Sequence, residues 1–237
     1  MYKENQKNSI RNLDIENRLI AKSYALVGLG ILISSLIYII SIISPYIRYI
    51  LYKNIGIILL CDFAITLIII PSIYRIRTIS YSTILSLYVI NTFIRGLFLA
   101  YILQSFTIRS VITIFLTTCS FFASAAIYGH YTNKNLIKYN NLIIPSLIAI
   151  LIVEIINIFL GSNTLQFLIS LIIIPIMILM IAINAQTMTI IFKDENIDEE
   201  NREILSKLTI LLALKLYAAF INIFINLLEL LGEKKKE

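Results

Sequence analysis

The sequence predicts an all-α, polytopic membrane protein of seven transmembrane helices, and three observations carry that prediction. Hydrophobic residues make up 59% of the 237 and charged residues only 14%, where a soluble domain carries about a quarter charged residues. The charges sit in short stretches between apolar runs of about 20 residues, the length that spans a hydrocarbon core. None of the runs alternates with period two, so each reads as a helix, which pairs its own backbone groups in lipid, and not as a barrel strand.

The runs fall at 24–43, 55–73, 83–104, 108–129, 142–160, 165–192 and 204–231. Residues 1–23 are polar and basic, with no apolar stretch ending at a small-residue cleavage site. The expected organisation is therefore a cytoplasmic N-terminal segment at 1–23, a helix bundle at 24–231 and a basic tail at 232–237. In the first run Gly30, Ser34, Tyr38 and Ser41 share one helix face. The second run holds Asp62 and the third Arg95. In the fourth, Thr113, Thr117, Ser120 and Ser124 line up. The fifth spaces Glu154, Asn157 and Gly161 by three and four. The sixth is long, and Pro175 marks its expected kink. The seventh places Lys215, Ala219, Asn222, Asn226 and Glu229 on one side. Such stripes serve either as packing seams or as an interior polar surface. In a chain without tryptophan, Tyr46, Tyr49, Tyr52, Tyr74, Tyr81, Tyr128 and Tyr131 take the interfacial anchoring role.

Charge orients the chain. With seven crossings, twelve lysines and arginines fall on the side of the N terminus and six on the other, which predicts a cytoplasmic N terminus. Three of the six are the tail residues Lys234, Lys235 and Lys236, and these conflict with a full set of seven crossings. The formal charge is +6, but its basic residues lie singly beside apolar runs, so nucleic acid is excluded as a partner. The loop 193–203 is the one acidic cluster; it reads as a solvated connector or as an attractor of cations.

No soluble-enzyme motif occurs: there is no GxGxxG, P-loop, HExxH or GxSxG. Cys61 and Cys119 lie within apolar runs and outside any CxxC pair, and His130 is the single histidine. No cofactor, metal site or enzymatic activity is expected. What remains is the intramembrane set Asp62, Arg95, Glu154 and Lys215. A central charge costs about 2.5–3.5 kcal/mol on insertion scales, so these side chains should face the bundle interior or water. Two acids and two bases permit pairing, as structural salt bridges or as an ion or proton path.

Residues 126–162, AIYGHYTNKNLIKYNNLIIPSLIAILIVEIINIFLGS, resemble the central signature of the Bax-inhibitor family of membrane proteins. Tyr128, Gly129, Thr132 and Leu136 match its first segment, and Asn157, Ile158, Phe159 and Leu160 its second. The stretch LKLYAAFINIFINLLELLG at 214–232 resembles the family's closing segment through Tyr217, Phe220, Ile221, Asn222, Phe224, Leu227, Leu228, Leu231 and Gly232. The resemblance implies seven helices around a central C-terminal one, a cytoplasmic N terminus and a pH-dependent calcium leak. It also implies a sensor of two aspartates sharing a proton. Here Asn184 and Ala219 stand at the matching positions, although Gln186 is retained.

The expectation is thus a leak channel for calcium or other cations in a bacterial inner membrane, with altered or lost pH gating. Asp62, Arg95, Glu154 and Lys215 would form its interior charge network, and Asn157, Asn184, Gln186 and Asn222 would line or close the path. The lipid bilayer, cations and a membrane-protein partner are the expected partners. The alternative is a non-conducting protein that modulates a partner membrane protein or protease.

Overall fold

The computed structural model describes the backbone of residues 2–74, 76–192 and 199–235, with side chains except at 2–15, 63, 66–74, 144, 158 and 199–202. Apart from one antiparallel bridge, its regular elements are helical. They are α1 (Tyr2–Ile43), α2 (Pro45–Lys53), α3 (Ile55–Tyr74), α4 (Tyr81–Leu103), α5 (Ile108–Tyr131), a 3-10 turn (Ile137–Tyr139), α6 (Asn140–Leu160), α7 (Asn163–Phe192) and α8 (Glu199–Leu231).

Among the described residues six helical stretches are long and apolar enough to cross a membrane: Glu16–Ile43, Tyr81–Leu103, Ile108–Tyr131, Ile137–Asn157, Asn163–Phe192 and Glu203–Leu231. This corrects the expected seven. The run 55–73 does fold as α3, Ile55–Tyr74, but it is not among these six stretches. The correction also alters the charge argument. With six crossings the same flanking lysines and arginines divide nine and nine between the two sides, so the twelve-to-six bias disappears, and with it the conflict over the tail. The N-terminal segment is continuous with the first span, since α1 runs from Tyr2 through Ile43. Most of the acidic loop, residues 193–198, lies outside the described residues.

The chain forms two compact units. The first comprises residues 1–104 and 188–217. Within it α4 packs on α1 and α3, and α2 packs on α1 and α4. Ser44 starts α2 by accepting the Ile47 amide, with Pro45 fixing the first turn, and Ser80 caps α4 through the Thr83 amide. Leu51 of α2, Ile58 of α3 and Ala100 of α4 form a core patch with Ile37, Tyr38, Ile94, Leu97 and Phe98. Tyr46, Tyr49 and Tyr52 remain exposed on α2, as suits a short helix lying at a membrane interface. Gly30 and Gly96 permit close helix approach. A Cβ on Gly30 would lie 2.9 Å from the Tyr217 ring, and one on Gly96 would lie 3.1 Å from the Ser34 backbone.

The second unit comprises residues 105–187 and 218–237. Thr107 caps α5 through the Ser110 amide. Gly161, at φ +61°, closes α6 in the left-handed conformation that favours glycine, and the Ser162 hydroxyl accepts the Leu165 amide to begin α7. Gly129 of α5 lies directly against the Ala182 backbone of α7, with no room for a side chain. Leu136, Ile143, Ala182 and Ile183 form one buried cluster, while Phe115 and Phe122 meet the Phe220 ring edge-on. Pro175 is accommodated inside the continuous α7.

Candidate functional site

Desolvation decides where the intramembrane charges sit. In the first unit Asp62 of α3 and Arg95 of α4 form an ion pair, Nε to Oδ1 3.3 Å, with 23% and 16% of the side chains exposed. The same two atoms lack hydrogen-bond alignment with each other, so the attraction is mainly Coulombic. Lys207, near the start of the seventh apolar run, is buried and holds Glu203 at 2.7 Å one turn earlier on α8. Lys215 is partly exposed on α8 and has no carboxylate within 4 Å among the described residues.

A polar knot that sequence reasoning missed ties the same unit together. The Tyr217 hydroxyl meets the Ser34 hydroxyl at 2.6 Å and donates to the Thr92 carbonyl at 3.5 Å. The Tyr88 hydroxyl donates to the Leu26 carbonyl. All four side chains are buried, which joins α1, α4 and α8 by groups that have no water to turn to. The sequence did carry a signal, the Gly30–Ser34 spacing on one face of α1.

In the second unit the polar groups converge where α6 turns into α7. Buried Asn157 accepts the Ser162 amide at 3.1 Å and donates to Gln166 Oε1 at 3.0 Å. Gln166 donates in turn to Glu229 Oε2 at 2.7 Å, and the fully buried Ser170 hydroxyl reaches the same oxygen at 3.1 Å. Glu229 of α8 is exposed. Glu154, one turn before Asn157 and half-buried, lies within electrostatic reach of it. The unit thus holds two carboxylates within electrostatic reach of each other, one of them fixed by an amide and a hydroxyl, with no cation paired to either among the described residues.

The remaining expected site residues take other places. Gln186 is buried and clips the link between α5 and α6: it accepts the Leu136 amide at 2.7 Å and donates to the Lys134 carbonyl at 2.7 Å. Asn184, two residues earlier, is buried with its amide nitrogen unpartnered among the described residues. Asn222 is partly exposed on α8, and its carbonyl accepts from Asn226. Between Thr209 and Leu228 the only positions of α8 short of full burial are Lys215, Ala218, Asn222 and Ile225, which recur at three and four residues and so share one face. The Thr113, Ser120 and Ser124 side chains of α5 point outward; the hydroxyls of Thr117, Ser120 and Ser124 bond the carbonyls four residues earlier. No group of three or more histidine, cysteine, aspartate or glutamate side chains gathers to hold a metal among the described residues.

The sequence pattern described as "Inhibitor of apoptosis-promoting Bax1" (Bax1-I) matches residues 16–236. Among similar proteins, an uncharacterized protein of Borreliella burgdorferi is 28% identical over 94% of this chain and 95% of its own. The inner membrane protein YbhL of Escherichia coli is 28% identical over 68% of each chain. The uncharacterized protein YrjE of Lactococcus lactis is 26% identical over 91% of each.

Proposed function

The chain belongs to the Bax1-I family, a family of non-enzymatic membrane regulators, and from that premise we propose that it is a cation leak protein of a bacterial inner membrane whose gating differs from the family's. At the coarser level this is a polytopic membrane protein with a regulatory or channel-like role. The inner-membrane assignment follows the inner membrane protein YbhL of Escherichia coli.

The observation that supports the leak reading is the carboxylate pair of the second unit. Rings or pairs of acidic side chains attract cations and repel anions. Glu154 and Glu229 offer such a pair, with Glu229 steadied by Gln166 and Ser170. Calcium favours this chemistry, since it takes carboxylate and amide oxygens with relaxed geometry. Altered gating follows from Asn184 and Ala219, neither of which can hold or release a proton. The N terminus is placed in the cytoplasm, because five basic residues precede or open the first span and the first helix usually dominates orientation.

The test is calcium and potassium efflux from proteoliposomes, with folding confirmed by circular dichroism. Protein-dependent cation efflux, with chloride excluded, is the expected result. Folded protein that conducts nothing above empty vesicles defeats the proposal. That outcome would favour a non-conducting regulator, for which the outward hydroxyl stripe of α5 is the supporting observation.

A further inference from the structure

The end of the chain is folded onto the second unit in a way that hydrophobicity alone does not require. Past α8 the chain runs antiparallel to the link before α5, with Phe106 opposite Lys234. The Thr107 amide donates to the Glu233 carbonyl at 2.9 Å and the Lys235 amide to the Ser105 carbonyl at 3.0 Å. The Glu233 amide donates to the Ser110 hydroxyl at 2.9 Å. Phe106 is buried over Gly232, where a Cβ would come within 2.7 Å of its ring. Three hydrogen bonds and a ring thus hold the tail in one register.

That register fixes a charge pattern. Lys234, Lys235 and Arg109 are exposed, and among the described residues of the tail Glu233 is the one acid. Arg109 is the second residue of one candidate span, and Lys234 follows the last residue of another by three. The three cations therefore lie where hydrocarbon gives way to headgroups. The exposed Ile108 and Leu231 border them on the membrane side. A soluble anion would use the cations alone, whereas a lipid uses both features: a phosphate for the basic groups and acyl chains for the apolar rim.

We propose that the clipped C-terminal tail and the first turn of α5 form a docking site for the headgroup of an anionic phospholipid, held by Arg109, Lys234 and Lys235.

The native chain lacks tryptophan, so Leu231→Trp introduces a single indole beside the site. Its quenching is measured in phosphatidylcholine vesicles that contain brominated phosphatidylglycerol or brominated phosphatidylcholine. The expected result is a preference for phosphatidylglycerol of about threefold to tenfold, in the direction that basic residues near an anionic surface dictate. The preference should fall to near unity in Arg109→Gln/Lys234→Gln/Lys235→Gln. It should also fall when Gly-Ser-Gly is inserted between Gly232 and Glu233, a change that keeps every charge and breaks the bridge. Equal quenching by both lipids overturns the proposal, as does a preference that survives the insertion. Loss of the preference on adding 10 mM inorganic phosphate, at constant ionic strength, would assign the site to a free anion and overturn it too.

Discussion

The Asp62–Arg95 pair shows what a low dielectric does to single residues. Removing one partner leaves an uncompensated charge, at a cost of about 3–5 kcal/mol for a fully buried pair; partial exposure at 23% and 16% lowers that figure. Asp62→Ala should therefore destabilise the protein more than the double variant Asp62→Ala/Arg95→Leu, measured by thermal unfolding in detergent. Equal losses would show that the pair carries no stability. Tyr217→Phe should cost about 1 kcal/mol through the lost Ser34 bond, while Tyr217→Ala should cost several times more. The pairing of Asp62 was legible in the sequence, because an embedded charge must find a partner or water. The bonds of Tyr217 were not legible, since it lies at the middle of its span and nothing local says which helix its hydroxyl meets.

At the scale of elements, connections hold more information than spans. Gln186 binds three successive parts of the α5–α6 link through the Leu136 amide and the Thr132 and Lys134 carbonyls. Gln186→Leu should speed exchange of the Leu136 amide by about tenfold, read by mass spectrometry, while the Glu154–Glu229 region keeps its protection. Unchanged exchange would mean that the clip is redundant. Except at the start of α1, which precedes its apolar run by some 22 residues, the apolar runs gave the long helices to within about five residues, because their length and composition answer directly to the bilayer. Hydrogen bonds such as the Gln186 clip and the tail bridge join residues 50 or more positions apart, and no local periodicity encodes them. The interfacial helix α2 lay between these cases: its tyrosines were visible as anchors, but its helicity depends on the Ser44–Pro45 start.

For the whole molecule, the same lysines and arginines support a strong orientation with seven crossings and none with six. The sequence-level prediction of topology thus rested on the count of spans, and that count failed at α3. Orientation therefore depends on the first helix, and an N-terminal reporter should remain cytoplasmic; one found on the far side would reverse the assignment. The central claim is that Glu154 and Glu229 handle the cations. Its most direct test is calcium efflux from proteoliposomes of the Glu154→Gln/Glu229→Gln variant against the native chain, at matched protein content and pH. At least a tenfold loss of efflux, with the fold and thermal stability retained, is the expected result. Efflux equal to that of the native chain would place the pathway elsewhere and contradict the account.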